Sequence, residues 1–315
     1  MLKDIMESIK TAKIPIRKRL KKLGTVKISV VETTPVVWHD KLLRFEWART
    51  FAHGPNGPYT PRNTACYQFI DMATEEVVSE FAYNHAFGCC YEENGKMYVH
   101  GPRDGNVLDT FVSSDLENWE QSVALVLPED VVIANTSVCK GAGKYIMSIE
   151  IAGENEAVGI PFTIVFAESE DLIHWTLLDM MEYSYTRDRY AACPCIRYTD
   201  GYYYMIYLEY FEPGFCLIPY IVRTRDLKEF EMGITNPIIW YSDEDKKVIH
   251  PEAFSPEELD YIENAVNRNN SDFDMCYYNG KTIITYSWGD QNGKEFLALA
   301  EYDGTNEEFL KSFFV

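Results

Sequence analysis

Apolar and polar residues alternate along most of the chain in short runs, and each run is cut by a tight turn. Turn signals fall at Asn94-Gly95-Lys96, Gly141-Ala142-Gly143-Lys144, Asp200-Gly201 and Asn279-Gly280-Lys281, with a weaker version at His39-Asp40-Lys41. Asn-Gly and Asp-Gly between alternating runs predict β-hairpins, because both central residues must reach positive φ. A second phrase recurs between the hairpins: Ser-Ser-Asp-Leu-Glu-Asn-Trp at 113–119, Ser-Glu-Asp-Leu-Ile-His-Trp at 169–175 and Thr-Arg-Asp-Leu-Lys-Glu-Phe at 224–230. Each unit reads as four strands. Strand A precedes the hairpin turn, B follows it, C ends at the Asp-Leu phrase, and D carries the Trp or Phe. Five such units fit between about residues 32 and 315. Four antiparallel strands repeating about every 50 residues predict an all-β, five-bladed β-propeller, since one such unit cannot bury its own faces. The run Thr25–Val31 is expected to pair with the last blade and close the ring.

Two segments break the alternation. Leu2, Ile5, Met6 and Ile9 fall at helical spacing and predict an N-terminal helical arm over 1–24, ahead of a propeller over 25–315. Ser255, Pro256 and Glu258 form a capping box before Leu259, Ile262 and Val266. They predict a helical insertion at about 255–267, expected to wall the mouth of the central channel.

Charge narrows the partners. The 315 residues hold 29 Lys/Arg against 49 Asp/Glu, a formal net charge of −20. Residues 1–24 carry eight basic and two acidic residues, so the remainder is more acidic still. Phosphate backbones would be repelled, which argues against a nucleic-acid partner. The basic arm is expected to be solvated or to mediate homo-oligomer formation. No run of 18 apolar residues predicts a membrane span, and no secretory signal is evident. The eight cysteines form no C-x-x-C pair, which points to a reducing, cytoplasmic setting without disulfides or zinc.

Propeller topology tells which residues converge. Strand-A starts and strand-B ends share one face, so five blades bring their side chains to one axial opening. Counting eight residues back from each turn reaches Glu32, Phe87, Asn135, Cys193 and Asp272. His85 and Asp188-Arg189-Tyr190 lie just before two of these. Strand-B ends supply Trp47, Arg49, Arg103, Glu150, Glu209, Tyr210, Trp288, Asp290 and Gln291. Such a set of carboxylates, amides, arginine and aromatic rings suits sugar hydroxyls and pyranose faces. The aspartates of the recurring phrase, Asp115, Asp171 and Asp226, are expected to cap local turns instead.

Five units with Ser-x-Asp-Leu-x-x-Trp phrases resemble the five-bladed propellers of glycoside hydrolase families 43, 32 and 117, over about residues 30–315. The resemblance implies a carboxylate base or nucleophile at the first strand-A start, where Glu32 stands; Thr34-Pro35 replaces the usual Asp-Pro of family 43. It implies a tuning carboxylate in the third blade, where Asn135 stands instead. It also implies a general-acid Glu before Cys193-Pro194, where the chain has Ala192. Ordinary glycosidic cleavage needs two carboxyl groups. Glu32 and Asp272, from neighbouring first and last blades, are the expected catalytic pair, with Glu209 as alternative acid. His85, Asn135, Asp188, Arg189, Arg103, Trp288 and Gln291 are the expected substrate-binding residues. No cofactor is required; a central divalent cation held by His85 and water is compatible with the pattern. The expected activity is cleavage of a small saccharide. The alternatives are a noncatalytic glycan-binding propeller, or a glycoside phosphorylase using Arg103, Arg189 and His85 to cradle phosphate.

Overall fold

A computed structural model describes residues 3, 4, 7, 19–49, 51–54, 57–61 and 65–315. The strands build five antiparallel blades. Strand β1 (Lys21–Ile28) comes first in the chain but belongs to the last blade. The first blade holds β2 (Thr33–Trp38), β3 (Lys41–Ala48), β6 (Cys66–Asp71) and β7 (Val77–Phe81), with the hairpin β4 (Phe51–Gly54) and β5 (Gly57–Pro61) as an excursion. The second holds β8 (Cys89–Glu93), β9 (Lys96–Asp104), β10 (Val107–Ser113) and β11 (Glu120–Val126). The third holds β12 (Ile133–Gly141), β13 (Lys144–Ile151), β14 (Thr163–Ser169) and β15 (Thr176–Leu177), with β16 (Ser184–Tyr185) also on β14. The fourth holds β17 (Ala192–Thr199), β18 (Tyr202–Phe211), β19 (Cys216–Thr224) and β20 (Phe230–Met232). The fifth holds β21 (Asn269–Tyr278), β22 (Lys281–Gly289) and β23 (Glu295–Tyr302), and β1 is its outer strand. The first strands β2, β8, β12, β17 and β21 touch their neighbours all the way round, so they enclose the axis.

The local chemistry explains the repeat. Asn94, Gly95, Asp200, Gly201, Asn279 and Gly280 all have positive φ, as tight hairpin turns demand. In the recurring phrase, Asp115 Oδ1 accepts from the backbone N–H of Glu117 at 2.9 Å and of Asn118 at 2.8 Å. Asp171 and Asp226 do the same for their own turns. These aspartates serve the fold. Trp119 stacks on Phe81 of the preceding blade at 3.8 Å between ring centroids, so the aromatic end of the phrase glues blade to blade.

Ring closure starts earlier than expected. β1 begins at Lys21, four residues inside the segment assigned to the basic arm, and Lys22 is buried. Its ammonium meets Asp245 at 2.6 Å, while Asp245 also accepts from Tyr286 and Asn267. Thr25 Oγ1 donates to Asp245 O and accepts from Trp288 Nε1 at 2.9 Å. Within the rest of the predicted arm, Lys3, Asp4 and Glu7 are helical and exposed and Leu20 packs against the core of the last blade; Leu2, Ile5, Met6 and Ile9 lie outside the described residues, and the arm's expected role in self-association is not tested by the structure.

The helical insertion forms over Pro256–Glu263, with the Ser255 capping box in place. Its position corrects the expectation. Ile262 is buried with Phe296 and Trp288, and Tyr261 packs on Phe296 at 5.5 Å. The insertion therefore covers the outer part of the fifth blade, and none of its residues lines the axial cavity. Val266 lies beyond the helix and is half exposed, so the apolar stripe is shorter than the spacing suggests.

Candidate active site

A cavity of about 380 Å³ opens at the end of the axis where the A strands start. All five residues reached by the eight-residue count line it: Glu32, Phe87, Asn135, Cys193 and Asp272. Backbone geometry aims three of them inward. The A strands of the third, fourth and fifth blades each carry one extra residue near this level, between Ile133 and Thr136, Ala192 and Cys195, and Ser271 and Asp274. Such bulges kink a strand and redirect a side chain. Cys193 and Asp272 sit in them at φ 47 and 49, a conformation that costs about 1 kcal/mol or more for a residue with a side chain and that clusters at functional sites.

Arg49 and Glu150 reach the same cavity from strand-B ends, and Gln291 and Glu295 follow from the fifth blade. Arg49 holds two carboxylates at once: Nη2 donates to Glu32 Oε2 at 2.8 Å and Nη1 to Glu295 Oε2 at 3.0 Å. Glu150 has no such cation. Its Oε2 accepts from the Cys193 backbone N–H at 2.7 Å and from Asn135 Nδ2 at 3.0 Å. Asp272 Oδ2 accepts from Ser287 Oγ at 2.9 Å.

Four carboxyl groups share this cavity with one guanidinium, and in so buried a place they cannot all ionise. Burial pushes Glu150 up to about 7, opposed by its two N–H donors and reinforced by the charges of Asp272 and Glu32. Burial also pushes Glu32 up to about 7, with Arg49 opposing and Asp272 reinforcing. Burial, with the charges of Asp272 and Glu150, holds the Cys193 thiol well above its ordinary range, so it is no ready nucleophile. Phe87, Phe162 and Tyr190 supply aromatic walls; Phe87 leans on Trp47 and Tyr190 on Phe162. Deeper along the axis, Asp274 pairs with Arg197, and a small cavity of about 30 Å³ lies between Glu32, Asp272 and Asp274.

Six expected site residues do not line this cavity. Glu209 pairs with Arg189 at 3.0 Å and accepts from Tyr207 OH at 2.7 Å. Side chains alternate along β18, and its neighbour Leu208 takes the inward position. Asp188 is exposed on the loop before β17. His85 is buried, with Nε2 on Asp109 at 2.9 Å and Nδ1 facing Tyr83 O at 3.3 Å. Arg103 lies 3.5 Å from the same Asp109. Trp288 is fully buried and stacks on Phe296 at 4.2 Å, a packing residue of the last blade. The would-be phosphate cradle is thus divided between two carboxylates on different blades. Both ring nitrogens of His85 face protein partners, which leaves neither turned toward a central cation. Among the described residues no group of three His, Cys, Asp or Glu is placed to hold a metal ion.

Glu150, expected at the axial opening from its strand-B end but given no role there, and Glu295, not anticipated at all, join the site. Glu150 sits at the strand-B end of the third blade, the position that Arg49 occupies in the first, so its place was readable. Its burial against the start of the fourth blade was not.

The comparisons bear on this geometry. No family model and no curated protein matches the chain. Solved structures do. A glycosyl hydrolase from Bacteroides ovatus superposes with a TM-score of 0.54 at 14% identity, covering 91% of this chain and 95% of that one. An α-L-arabinofuranosidase from Clostridium thermocellum gives 0.51 at 14%, covering 81% of each chain. A β-xylosidase/α-arabinofuranosidase of family 43 from a compost metagenome, in complex with xylotriose, gives 0.50 at 13%, covering 91% of this chain and 95% of that one. The fold is that of the family 43-type five-bladed propellers. In this chain the cavity gathers carboxyl groups at Glu32, Glu150, Asp272 and Glu295, while Asn135 and Ala192 hold the positions where the resemblance implied carboxylates.

Proposed function

We propose that the chain is a glycoside hydrolase-like enzyme that cleaves a glycosidic bond of a small saccharide in the axial cavity. The observation that carries this reading is the convergence of Glu32, Glu150 and Asp272 in one aromatic-walled cavity with Arg49. Glycosidic cleavage asks for one carboxyl group that is protonated and one that is ionised, facing the same bond. A crowded set of acids with a single cation meets that need, because the charges push the groups apart in proton affinity. A volume of about 380 Å³ lies near the lower end of ligand pockets, which span roughly 300–1,000 Å³, and this favours a mono- or short oligosaccharide. Glu32, held by Arg49, is the ionised partner, with Asp272 beside it. Asn135, Gln291, Phe87 and Tyr190 contact the sugar. No resident cofactor is part of the reading. Eight free cysteines, most of them buried, fit a reducing, cytoplasmic setting.

A noncatalytic glycan-binding propeller is the second reading, motivated by Ala192 and Asn135 at positions where the family carries carboxylates. An NMR time course on aryl glycosides and oligosaccharides decides between them, with arabinofuranosides and xylosides included because similar structures are described as acting on them. Release of free sugar is the expected result. Line broadening of a saccharide that stays intact would replace the enzyme with the binding module.

A further inference from the structure

We infer that Glu150 is the general acid of this site, supplied by strand B of the third blade in place of the missing carboxyl at position 192. The inference rests on the hydrolase reading above. Three observations carry it. The Glu150 side chain lines the cavity together with Glu32 and Asp272. Its carboxyl crosses to the fourth blade and takes the backbone N–H of Cys193, the residue directly after Ala192. Both of its hydrogen bonds fall on Oε2, which leaves Oε1 uncommitted among the described residues and able to carry a proton toward a ligand.

The two carboxyls of similar burial divide by their partners. Glu32 has a guanidinium at 2.8 Å, which favours its ionised form. Glu150 has only an N–H and an amide, while Asp272 and Glu32 repel its charge. These partners favour the proton shared by the cluster on Glu150 over Glu32. In the reaction, the Glu150 O–H proton passes to the glycosidic oxygen as the bond from that oxygen to the anomeric carbon breaks. The bonding pair leaves with the oxygen, and the aglycone departs as a neutral alcohol. The new bond to the anomeric carbon comes from Glu32 itself, or from a water that gives its proton to Glu32.

The test compares leaving groups. Wild type and Glu150→Gln are assayed on the 2,4-dinitrophenyl and the methyl glycoside of a sugar cleaved in the panel. Dinitrophenolate leaves without protonation; methanol does not. General-acid help is worth about 10²- to 10⁴-fold. Glu150→Gln is expected to lose about that much on the methyl glycoside and less than about tenfold on the dinitrophenyl one. The alkaline limb of the wild-type profile, near pH 7, should vanish in the variant. An equal loss on both substrates overturns the assignment, because a folding defect or a purely structural role acts that way. Full activity of the variant on the methyl glycoside overturns it too. No turnover by wild type on either substrate instead removes the hydrolase reading itself.

Discussion

If burial keeps a proton on Glu150, then removing its ability to ionise must change how stability depends on pH. The group moves from an ordinary value of 4.5 to about 7 in the folded protein. The folded state therefore binds this proton more tightly than the unfolded chain. The associated stabilisation is fully present below about pH 4.5 and is lost as pH rises through about 7. At about 1.4 kcal/mol per pH unit, the whole loss is about 3 kcal/mol, of which about 2 kcal/mol falls between pH 5.5 and 8.5. Glu150→Gln has nothing to ionise and keeps an oxygen for the Cys193 N–H. Its stability relative to wild type should rise by about 2 kcal/mol across that window. Relief of the repulsion on Glu32 adds in the same direction. The assay is urea unfolding at pH 5.5, 6.5, 7.5 and 8.5, with the exposed Glu117→Gln as control. A difference that stays flat across the four pH values would mean that Glu150 ionises as freely folded as unfolded. The argument for a shared buried proton would then be wrong.

Two further perturbations probe the site and the ring. Glu32→Gln and Asp272→Asn should each cut turnover by about 100-fold or more while leaving saccharide affinity by titration calorimetry within about tenfold; unchanged turnover in both removes the pair from catalysis. Asp245→Asn should leave the buried Lys22 ammonium without its anion and destabilise the closing strand by about 3–5 kcal/mol; an unchanged denaturation midpoint would show that the pair does not hold the ring shut.

The sequence carried the fold because a propeller repeats its instructions. Hairpin turns and Asp-Leu phrases recur once per blade, and each has a local cause: positive φ at the turn, backbone N–H groups to cap at the aspartate. The channel lining was legible for the same reason, since a fixed count from a turn samples the same level in every blade. It failed where side-chain direction depends on neighbours. Trp288 lies one residue beyond Ser287, which faces Asp272, and alternation sends the ring into the blade. Glu209 has Arg189, Tyr207 and Tyr185 around it, a local network that spacing does not reveal. His85 is adjacent to the channel in sequence but is drawn to Asp109 of its own blade. Lys22 reads as one of many basic residues in a solvated arm. Only the pairing of β1 with β23 shows that it must be buried against Asp245.

A general acid at position 150 rather than 192, as inferred above, has a physical logic of its own. In a propeller the start of one A strand and the end of the preceding blade's B strand meet at the same rim. A carboxyl can therefore reach one point in the cavity from either. The surroundings of the two positions differ accordingly. Ala192 is buried with Leu208 and Leu217, which offer a carboxylate neither donor nor cation. An ionised Glu at this position would be desolvated against these apolar neighbours, a cost of several kcal/mol unless it found a partner. Around Glu150, by contrast, the bulges at Asn135 and Cys193 turn an amide and a backbone N–H toward a single oxygen. Asn135 stands where the resemblance implies a carboxylate, and an amide there makes sense in the same terms. An aspartate there would be a further anion against Glu150, whereas the amide donates to it. On that inference, Asn135, Ala192 and Glu150 belong to one arrangement around one proton-carrying group, rather than being independent features of the cavity.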